Sequence, residues 1–100
     1  MASKKQLTAS HRKWLISELR ADPELAAKYL NAAAEDKDHR VHLSALRTVA
    51  EAAGMAKVAR AAGAPRESVI RALSSSSTLR LRTLLAVLKA AGLKLAVERT

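Results

Sequence analysis

Two arginines and a glutamate lie at helical spacing in the stretch RESVIRAL, in the second half of this chain. Arg66 and Arg71 can each donate a pair of hydrogen bonds to guanine, and Glu67 can accept one from cytosine. Ser68, between them, can contact a base or a phosphate. Arg66, Glu67, Ser68 and Arg71 are therefore the residues that we expect to read base edges in double-stranded DNA.

Basic and hydroxyl side chains on both sides of this stretch are candidates for contacts to DNA phosphates. Such contacts fix the position of a protein on the duplex without reading its sequence, and lysine, arginine and serine commonly make them. A solvated surface residue is the alternative interpretation of each one. The predicted phosphate contacts are Lys57, Arg60, Ser74, Ser75, Arg80 and Arg82.

The net charge of +9 is unevenly distributed along the chain. Residues 52–100 contain nine basic and two acidic residues, whereas residues 14–38 contain three basic and six acidic ones. Positive charge concentrated around the candidate base-reading residues is the expected signature of phosphate binding. A basic surface that serves only solubility is the alternative.

Ala59, Gly63 and Val69 have the spacing of two short helices joined by a tight turn. A small residue and a glycine four positions apart allow close helix packing, and the glycine can take the left-handed conformation that ends a helix. The pattern predicts paired helices over residues 56–62 and 65–73, with the second able to enter the major groove. An ordinary helical hairpin is the structural alternative.

Capping residues and a glycine predict the boundaries of the two helices that precede this pair. Asp22 and Pro23 are typical of a helix start, and the helix that follows should stop near Asp36. Asp38 can cap the next helix, and Gly54 can end it. Two further helices therefore come before the paired ones.

The two ends of the chain carry weaker helical patterns. Residues 1–10 are polar and basic without a period, so we expect a loose arm, followed by a short helix over 11–20. The last helix should end at Gly92. Its predicted apolar side consists of Leu81, Leu84, Leu85 and Leu88, at positions i, i+3, i+4 and i+7.

Leu93, Leu95 and Val97 alternate with polar or small residues, which predicts a half-buried strand at the C-terminus. A single strand cannot satisfy its own backbone groups, so it needs a copy of itself in a second subunit or an edge on another protein. These three residues are therefore predicted to belong to a partner interface. Trp14, the only tryptophan, is expected to cover the core, or alternatively to anchor a protein interface.

The expected fold is an all-α domain of five helices with a short C-terminal β-strand. Residues 1–21 should form a basic arm and a short helix, and residues 22–98 the domain itself. The chain has no Phe, so leucine, alanine and valine must build its core. It has no cysteine and no apolar run of the roughly 18 to 20 residues that span a membrane, so we expect a protein of the cytoplasm.

Catalysis and metal binding receive little support from the sequence. His39 and His42 lie three residues apart, near Asp36 and Asp38, but a third clear ligand is missing and a solvent-exposed helix start explains them equally well. Neither a Gly-rich phosphate loop nor a nucleophile with an evident base is present. We therefore expect no enzyme, no cofactor and no metal.

The segments DPELAAKYLNAAAED, LRTVAEAAGMAKVARAAG, RESVIRALS and LRTLLAVLKAAGLKLAV resemble the Xre/Cro-like helix-turn-helix antitoxins of the HigA type, also called addiction-module antidote proteins. The resemblance runs from about Asp22 to Val97. It implies a lambda-repressor-like DNA-binding domain, a RelE/HigB-like RNA-cleaving toxin as partner and repression of the protein's own operon. It also places Arg66, Glu67, Ser68 and Arg71 on the base-reading face.

Pro65 departs from the family pattern, because Ser or Thr often stands at the start of the reading helix and proline lacks both the hydroxyl and the N–H. We expect a homodimer that reads a palindromic operator with half-sites roughly 34 Å apart, in the bacterial cytoplasm and associated with the nucleoid. The alternative is a stand-alone Xre-family transcriptional regulator without a toxin partner.

Overall fold

The computed structural model describes residues 8–74 and 78–100 of the chain. These residues form six helices: α1 Ala9–Ala21, α2 Pro23–Ala34, α3 His39–Ala53, α4 Met55–Ala62, α5 Arg66–Ser74 and α6 Leu81–Ala90. The central helix is α3, which packs against each of the other five. Apart from α3, α1 and α2 pack only against each other, and α4, α5 and α6 pack among themselves.

Side-chain caps begin the first three helices. The Leu25 N–H donates to Asp22 Oδ1 over 3.1 Å, and the Arg40 N–H donates to Asp38 Oδ1 over 2.9 Å, which confirms both predicted caps. The His11 N–H donates to Thr8 Oγ1 over 3.0 Å. Residues 8–10 therefore start α1 and are not the loose arm that the sequence predicted, whereas residues 1–7 lie outside the described residues.

The core consists of alanine, leucine and valine, as the sequence predicts for a chain without Phe. Protein interiors are close-packed, so the size of the side chains between two helices sets the distance between them. The small side chains of α3 therefore allow it to lie close to its neighbours. Five alanine-, leucine- or valine-bearing positions of α3 are buried: Ala45, Leu46, Val49, Ala50 and Ala52. The most deeply buried side chains of the other helices are Val58, Leu73 and Val87.

The buried face of α6 differs from the predicted leucine stripe. Leu88 is buried, but Leu84 is half-buried, and Leu81 and Leu85 are 61% and 42% exposed. A second set of residues with the same i, i+3, i+4 and i+7 spacing faces the core instead: Thr83, Ala86, Val87 and Ala90. Small residues on this face allow α6 to lie close against α4 and α3, which leucines in the same place would prevent.

The prediction of a C-terminal β-strand is wrong. Residues 93–100 have no regular secondary structure, and no strand occurs anywhere in the two described ranges. The Leu93 N–H instead donates to the Leu88 carbonyl over 2.7 Å and closes the end of α6. An alternating pattern cannot form a strand by itself, because the backbone groups of a strand need a neighbouring strand to bond with.

The fold of the described residues is therefore all-α with six helices, and it differs from the predicted fold class in lacking the strand. Five of the helices, α2 to α6, lie in the predicted domain, and the sixth, α1, is the short helix predicted over 11–20, which runs Ala9–Ala21 and packs on α3. The second helix, α2, ends at Ala34, two positions before the predicted stop. Within the described ranges, no helix is both long enough and apolar enough to span a bilayer.

Candidate nucleic-acid interface

A glycine turn joins α4 to α5 where the sequence predicts paired helices. Gly63 has φ 64° and ψ 36°, the left-handed conformation that glycine adopts without steric cost. The Gly63 N–H donates to the Arg60 carbonyl over 3.2 Å, and the Ala64 N–H donates to the Ala59 carbonyl over 3.1 Å. These two hydrogen bonds satisfy carbonyls at the end of α4, and three residues connect it to α5.

Buried apolar residues hold the paired helices together. Ala59 on α4 is 8% exposed, and Val69 on α5 is 3% exposed. Leu73, one turn beyond Val69, is also buried, so one side of α5 is fixed against the core. The opposite side of α5 is consequently turned toward solvent.

The exposed face of α5 is centred on Arg71. Glu67, Ile70, Arg71 and Ser74 are all exposed and share this face at i, i+3, i+4 and i+7 spacing. Arg66 is exposed too, but it lies roughly 140° around the helix from Arg71, at the N-terminal end. The structure therefore brings Glu67 and Arg71 together and leaves Arg66 at the flank.

Ser68 lies beside that face and is half-buried. The Ser68 N–H donates to the Pro65 carbonyl over 3.0 Å, within the first turn of α5. Pro65 therefore lies immediately before the helix, at the position where a Ser or Thr hydroxyl would act as a cap. The Pro65 carbonyl accepts the Ser68 and Val69 N–H groups, as the carbonyl of any residue at this position can, and proline has no hydroxyl to add a further bond.

The predicted phosphate contacts flank the paired helices. Lys57 and Arg60 occupy the exposed side of α4, and Arg80 and Arg82 are exposed at the start of α6. The Ser74 hydroxyl donates to the Ile70 carbonyl over 2.8 Å, so its proton is already used within α5. Ser75, the sixth predicted contact, lies outside the described residues.

Every basic side chain of residues 54–100 is exposed, and none forms an ion pair with another described residue. The nine are Lys57, Arg60, Arg66, Arg71, Arg80, Arg82, Lys89, Lys94 and Arg99. Exposed cations that no neighbouring acid neutralises create a positive potential that attracts polyanions. We call this set the basic half. Four of its members lie on the paired helices, Lys57 and Arg60 on α4 and Arg66 and Arg71 on α5.

Three of the four arginines of residues 1–50 are used differently. Arg12 forms an ion pair with Glu51 on α3, and the Arg20 Nε donates to the Ala52 carbonyl over 2.7 Å at the end of α3. The Arg40 guanidinium lies 2.9 Å from Asp38 Oδ2. Because these three cations bind groups of the protein itself, less of their charge is available to a partner.

Three large apolar side chains near the paired helices are exposed. Ile70 on α5 is 41% exposed, and Leu81 and Leu85 lie one turn apart on the outer side of α6. From the sequence, Ile70 is a possible contact to a thymine methyl group, whereas Leu81 and Leu85 were predicted to lie on the apolar side of α6. The sequence does contain a pattern that indicates the exposure of Leu81 and Leu85: Thr83, Ala86 and Ala90 are spaced so that they give α6 a second, small-residue face that can pack against the core.

The predicted partner residues are mostly exposed. Trp14 is 57% exposed, so the expectation that it covers the core is wrong, and its ring centroid lies 5.6 Å from that of His11. Leu93 is half-buried against the core, whereas Leu95 and Val97 are 52% and 92% exposed. The interface prediction for these four residues remains a prediction.

The histidines do not belong to a metal site in the described part of the chain, where no group of three or more metal-ligating side chains comes together. Asp38 is occupied by the α3 cap and by Arg40, whose hydrogen bonds lower the pKa of the Asp38 carboxyl below its ordinary value of 3.8. Asp36 Oδ1 accepts a hydrogen bond from the Asp38 N–H over 2.8 Å. Both carboxylates therefore serve the turn between α2 and α3.

Comparison with known proteins relates most of this chain to one family. Residues 11–99 match the family described as "Probable addiction module antidote protein". A protein of Haemophilus influenzae, described only as "Uncharacterized protein", is 35% identical over 72 residues, which are 72% of this chain and 74% of the relative. No solved structure matches. The chain therefore belongs to the family of probable addiction module antidote proteins.

Proposed function

We propose that this protein is the antitoxin of a type II toxin–antitoxin module. In this role it binds and neutralises a RelE/HigB-like ribonuclease toxin, and it represses its own operon by binding operator DNA. Membership of the antidote family supports the antitoxin part. The chain acts by binding other macromolecules, not by catalysis.

The DNA-binding part of the proposal rests on one observation: the basic half presents nine exposed cations, none paired with an acid among the described residues, and four of them lie on the glycine-turned helix pair itself. Each cation that reaches a phosphate releases condensed counterions from the duplex, and this release is a large, salt-dependent part of protein–DNA affinity. Lys57, Arg60, Arg80 and Arg82 supply such contacts on either side of α5.

The exposed face of α5 supports its role as the reading helix. An α-helix with its side chains is about 10–12 Å in diameter and the major groove of B-DNA is about 12 Å wide, so α5 fits in the groove. Arg71 then faces the base edges from the second turn of the helix, while Glu67 and Arg66 reach them from its N-terminal end. Ile70, beside them, can contact a thymine methyl group.

A homodimer that reads a palindrome completes the proposal, because a two-fold operator matches a two-fold protein. We assign the chain within the antidote family to the Xre/Cro-like proteins of the HigA type, and the order α4, Gly63 turn, α5 supports this assignment. Leu93, Leu95 and Val97 remain proposed contacts to the second copy or to the toxin. The complex works in the bacterial cytoplasm, on the nucleoid.

The test is a pull-down of the tagged chain from its native host, with and without nuclease, followed by gel-shift titration on the DNA upstream of its own gene. We expect one co-purified protein that nuclease does not release, and tighter binding to the upstream DNA than to random DNA. Recovery of specific DNA without a protein would favour the stand-alone regulator. Equal affinity for upstream and random DNA would refute operon repression.

A further inference from the structure

Trp14 lies at the centre of the outer face of α1, in a setting that leaves its ring accessible. Its indole is 57% exposed, although tryptophan side chains in proteins are on average highly buried. Three side chains on the same face one and two turns away are small: Ser10, Ser17 and Ala21, all exposed. The larger neighbours are His11, whose ring centroid lies 5.6 Å from that of Trp14, and Glu18, so a partner reaches the indole over the three small residues.

Acidic residues extend this face toward α2. Glu18 follows Trp14 by one helical turn, and Asp22 and Glu24 lie at the junction of α1 and α2. All three are exposed, and none forms an ion pair within the described ranges. The Asp22 side chain accepts the Leu25 N–H, and this bond holds the carboxylate at the junction. We call Trp14, Glu18, Asp22 and Glu24 the α1 face.

The outer side of α1 is separated from α5 by the order of packing, although Lys57 of the basic half lies near Pro23 at the α1–α2 junction. Apart from α3, α1 packs only against α2, whereas α4 and α5 pack with α6 and α3. A molecule on the outer side of α1 therefore leaves the exposed side of α5 uncovered. The acidic residues lie within residues 14–38, which contain six acidic and three basic residues, and Lys13 and Arg20 are the exposed basic residues beside them on α1.

We propose that the α1 face is the docking surface for a basic protein that inserts an apolar pocket over Trp14. This inference rests on the proposed function and names the surface that binds the toxin. Charge complementarity is the argument for the occupant, because Glu18, Asp22 and Glu24 attract a basic protein surface and repel an acidic one. A second copy seated on this face by a two-fold axis would bring like charges together.

Trp14 supplies most of the affinity and the carboxylates supply the orientation. Interface energy is concentrated in a few buried aromatic or arginine side chains, and tryptophan is the residue most enriched among them. Exposed carboxylates mainly raise the association rate and fix the register of the complex. One chain can therefore hold its toxin through α1 and DNA through α5 at the same time.

The first experiment uses the protein recovered in the pull-down, identified by mass spectrometry and expressed as an inactive variant. Trp14 is the only tryptophan of this chain, so with a tryptophan-free variant of the recovered protein the fluorescence of the mixture reports on the α1 face alone. We expect emission to shift to the blue on addition of the recovered protein and to stay unchanged on addition of operator DNA. Emission that does not shift with the recovered protein overturns the inference.

Variants give the second experiment. Trp14→Ala should weaken binding of the recovered protein by at least about 30-fold, and Glu18→Lys should slow association, most strongly at low salt. Leu81→Ala, an equally exposed apolar residue on α6, is the matched control and should leave the affinity unchanged. Circular dichroism checks that each variant is folded.

The two proposals fail in different ways. If the recovered protein binds Trp14→Ala as tightly as the original chain, or if Leu81→Ala is the variant that loses affinity, the α1 face is not the docking surface, although the antitoxin function stands. If Trp14 emission shifts with the concentration of the chain alone, a second copy occupies the face and the inference is overturned. A pull-down without any protein partner refutes the antitoxin function and this inference together.

Discussion

Gly63 is the position at which stability and the proposed function depend on the same backbone angle. Its φ of 64° lies in the left-handed region, and the turn between α4 and α5 requires it. Among the described residues, no atom other than its chain neighbours lies within 4 Å of the point that a Cβ on Gly63 would occupy. The cost of Gly63→Ala is therefore backbone strain without a side-chain clash.

Two opposing contributions set the change in unfolding free energy caused by Gly63→Ala. A left-handed conformation costs a non-glycine residue roughly 1–2 kcal/mol. Alanine also reduces the conformational entropy of the unfolded chain, which returns roughly 0.4–1 kcal/mol. Gly63→Ala should thus lower the free energy of unfolding by about 1 kcal/mol, equivalent to a fall of about 4–8 °C in Tm for a domain of this size. Gly63→Asn should lose less, because asparagine tolerates this conformation.

Urea unfolding followed by circular dichroism measures these differences, and the other glycines serve as controls. Gly92→Ala, at a φ of 79° beyond α6, should lose a similar amount of stability without affecting DNA binding. Gly54 has φ 104° and ψ 124°, outside the left-handed helical region, so asparagine should not be tolerated better than alanine there. Equal losses for Gly63→Ala and Gly63→Asn, or no loss for either, would refute the reasoning.

Three further predictions concern the core, the DNA and the turn before α3. Leu73→Ala, at a residue that is 1% exposed, should lower the free energy of unfolding by roughly 2–5 kcal/mol. Leu81→Ala should change the free energy of unfolding by no more than about 0.5 kcal/mol. Equal losses for the two variants in urea titrations would contradict the observed orientation of α6. In gel shifts, Arg71→Ala should cost about 1–3 kcal/mol on the operator and relax specificity at one position, whereas Lys57→Ala should weaken binding to all DNA alike; equal loss on operator and random DNA for Arg71→Ala would argue against base reading. The lowered pKa of Asp38 means that its carboxylate stabilises the fold above pH 3.8 and that this contribution is lost as the pH falls through the lower pKa of the folded state. Asp38→Asn should remove that part of the acid dependence of Tm. An unchanged dependence of Tm on pH would show that the Arg40 contact does not stabilise the fold.

Local signals in the sequence determine most of the helix boundaries. Asp22 and Asp38 cap α2 and α3 as predicted, and Gly54 and Gly63 end α3 and α4. Each signal acts through hydrogen bonds or backbone angles within a few residues, so the sequence contains all the information that such a boundary needs. The basic composition of the second half is likewise readable without a fold, and so is the family resemblance.

Tertiary packing decided which side of each helix is buried. In α6 both the leucine stripe and the set that includes Ala86 and Ala90 have helical periodicity, so periodicity alone does not choose between them. The close approach of α6 to α4 chooses the small side chains. The same kind of long-range contact leaves Trp14 exposed, because α1 meets α3 through Leu19 and the Arg12–Glu51 pair.

The C-terminal segment is a second case in which a sequence pattern does not determine the structure. Leu93, Leu95 and Val97 alternate as a strand would, yet pairing depends on a neighbour that the sequence of the segment does not specify. In this fold residues 93–100 have no strand beside them within the described ranges, and Leu93 packs against the core instead. The sequence determined where helices begin and end, because those signals are local; the tertiary structure decided which faces are buried and which remain free to bind, because those depend on residues far apart in the chain.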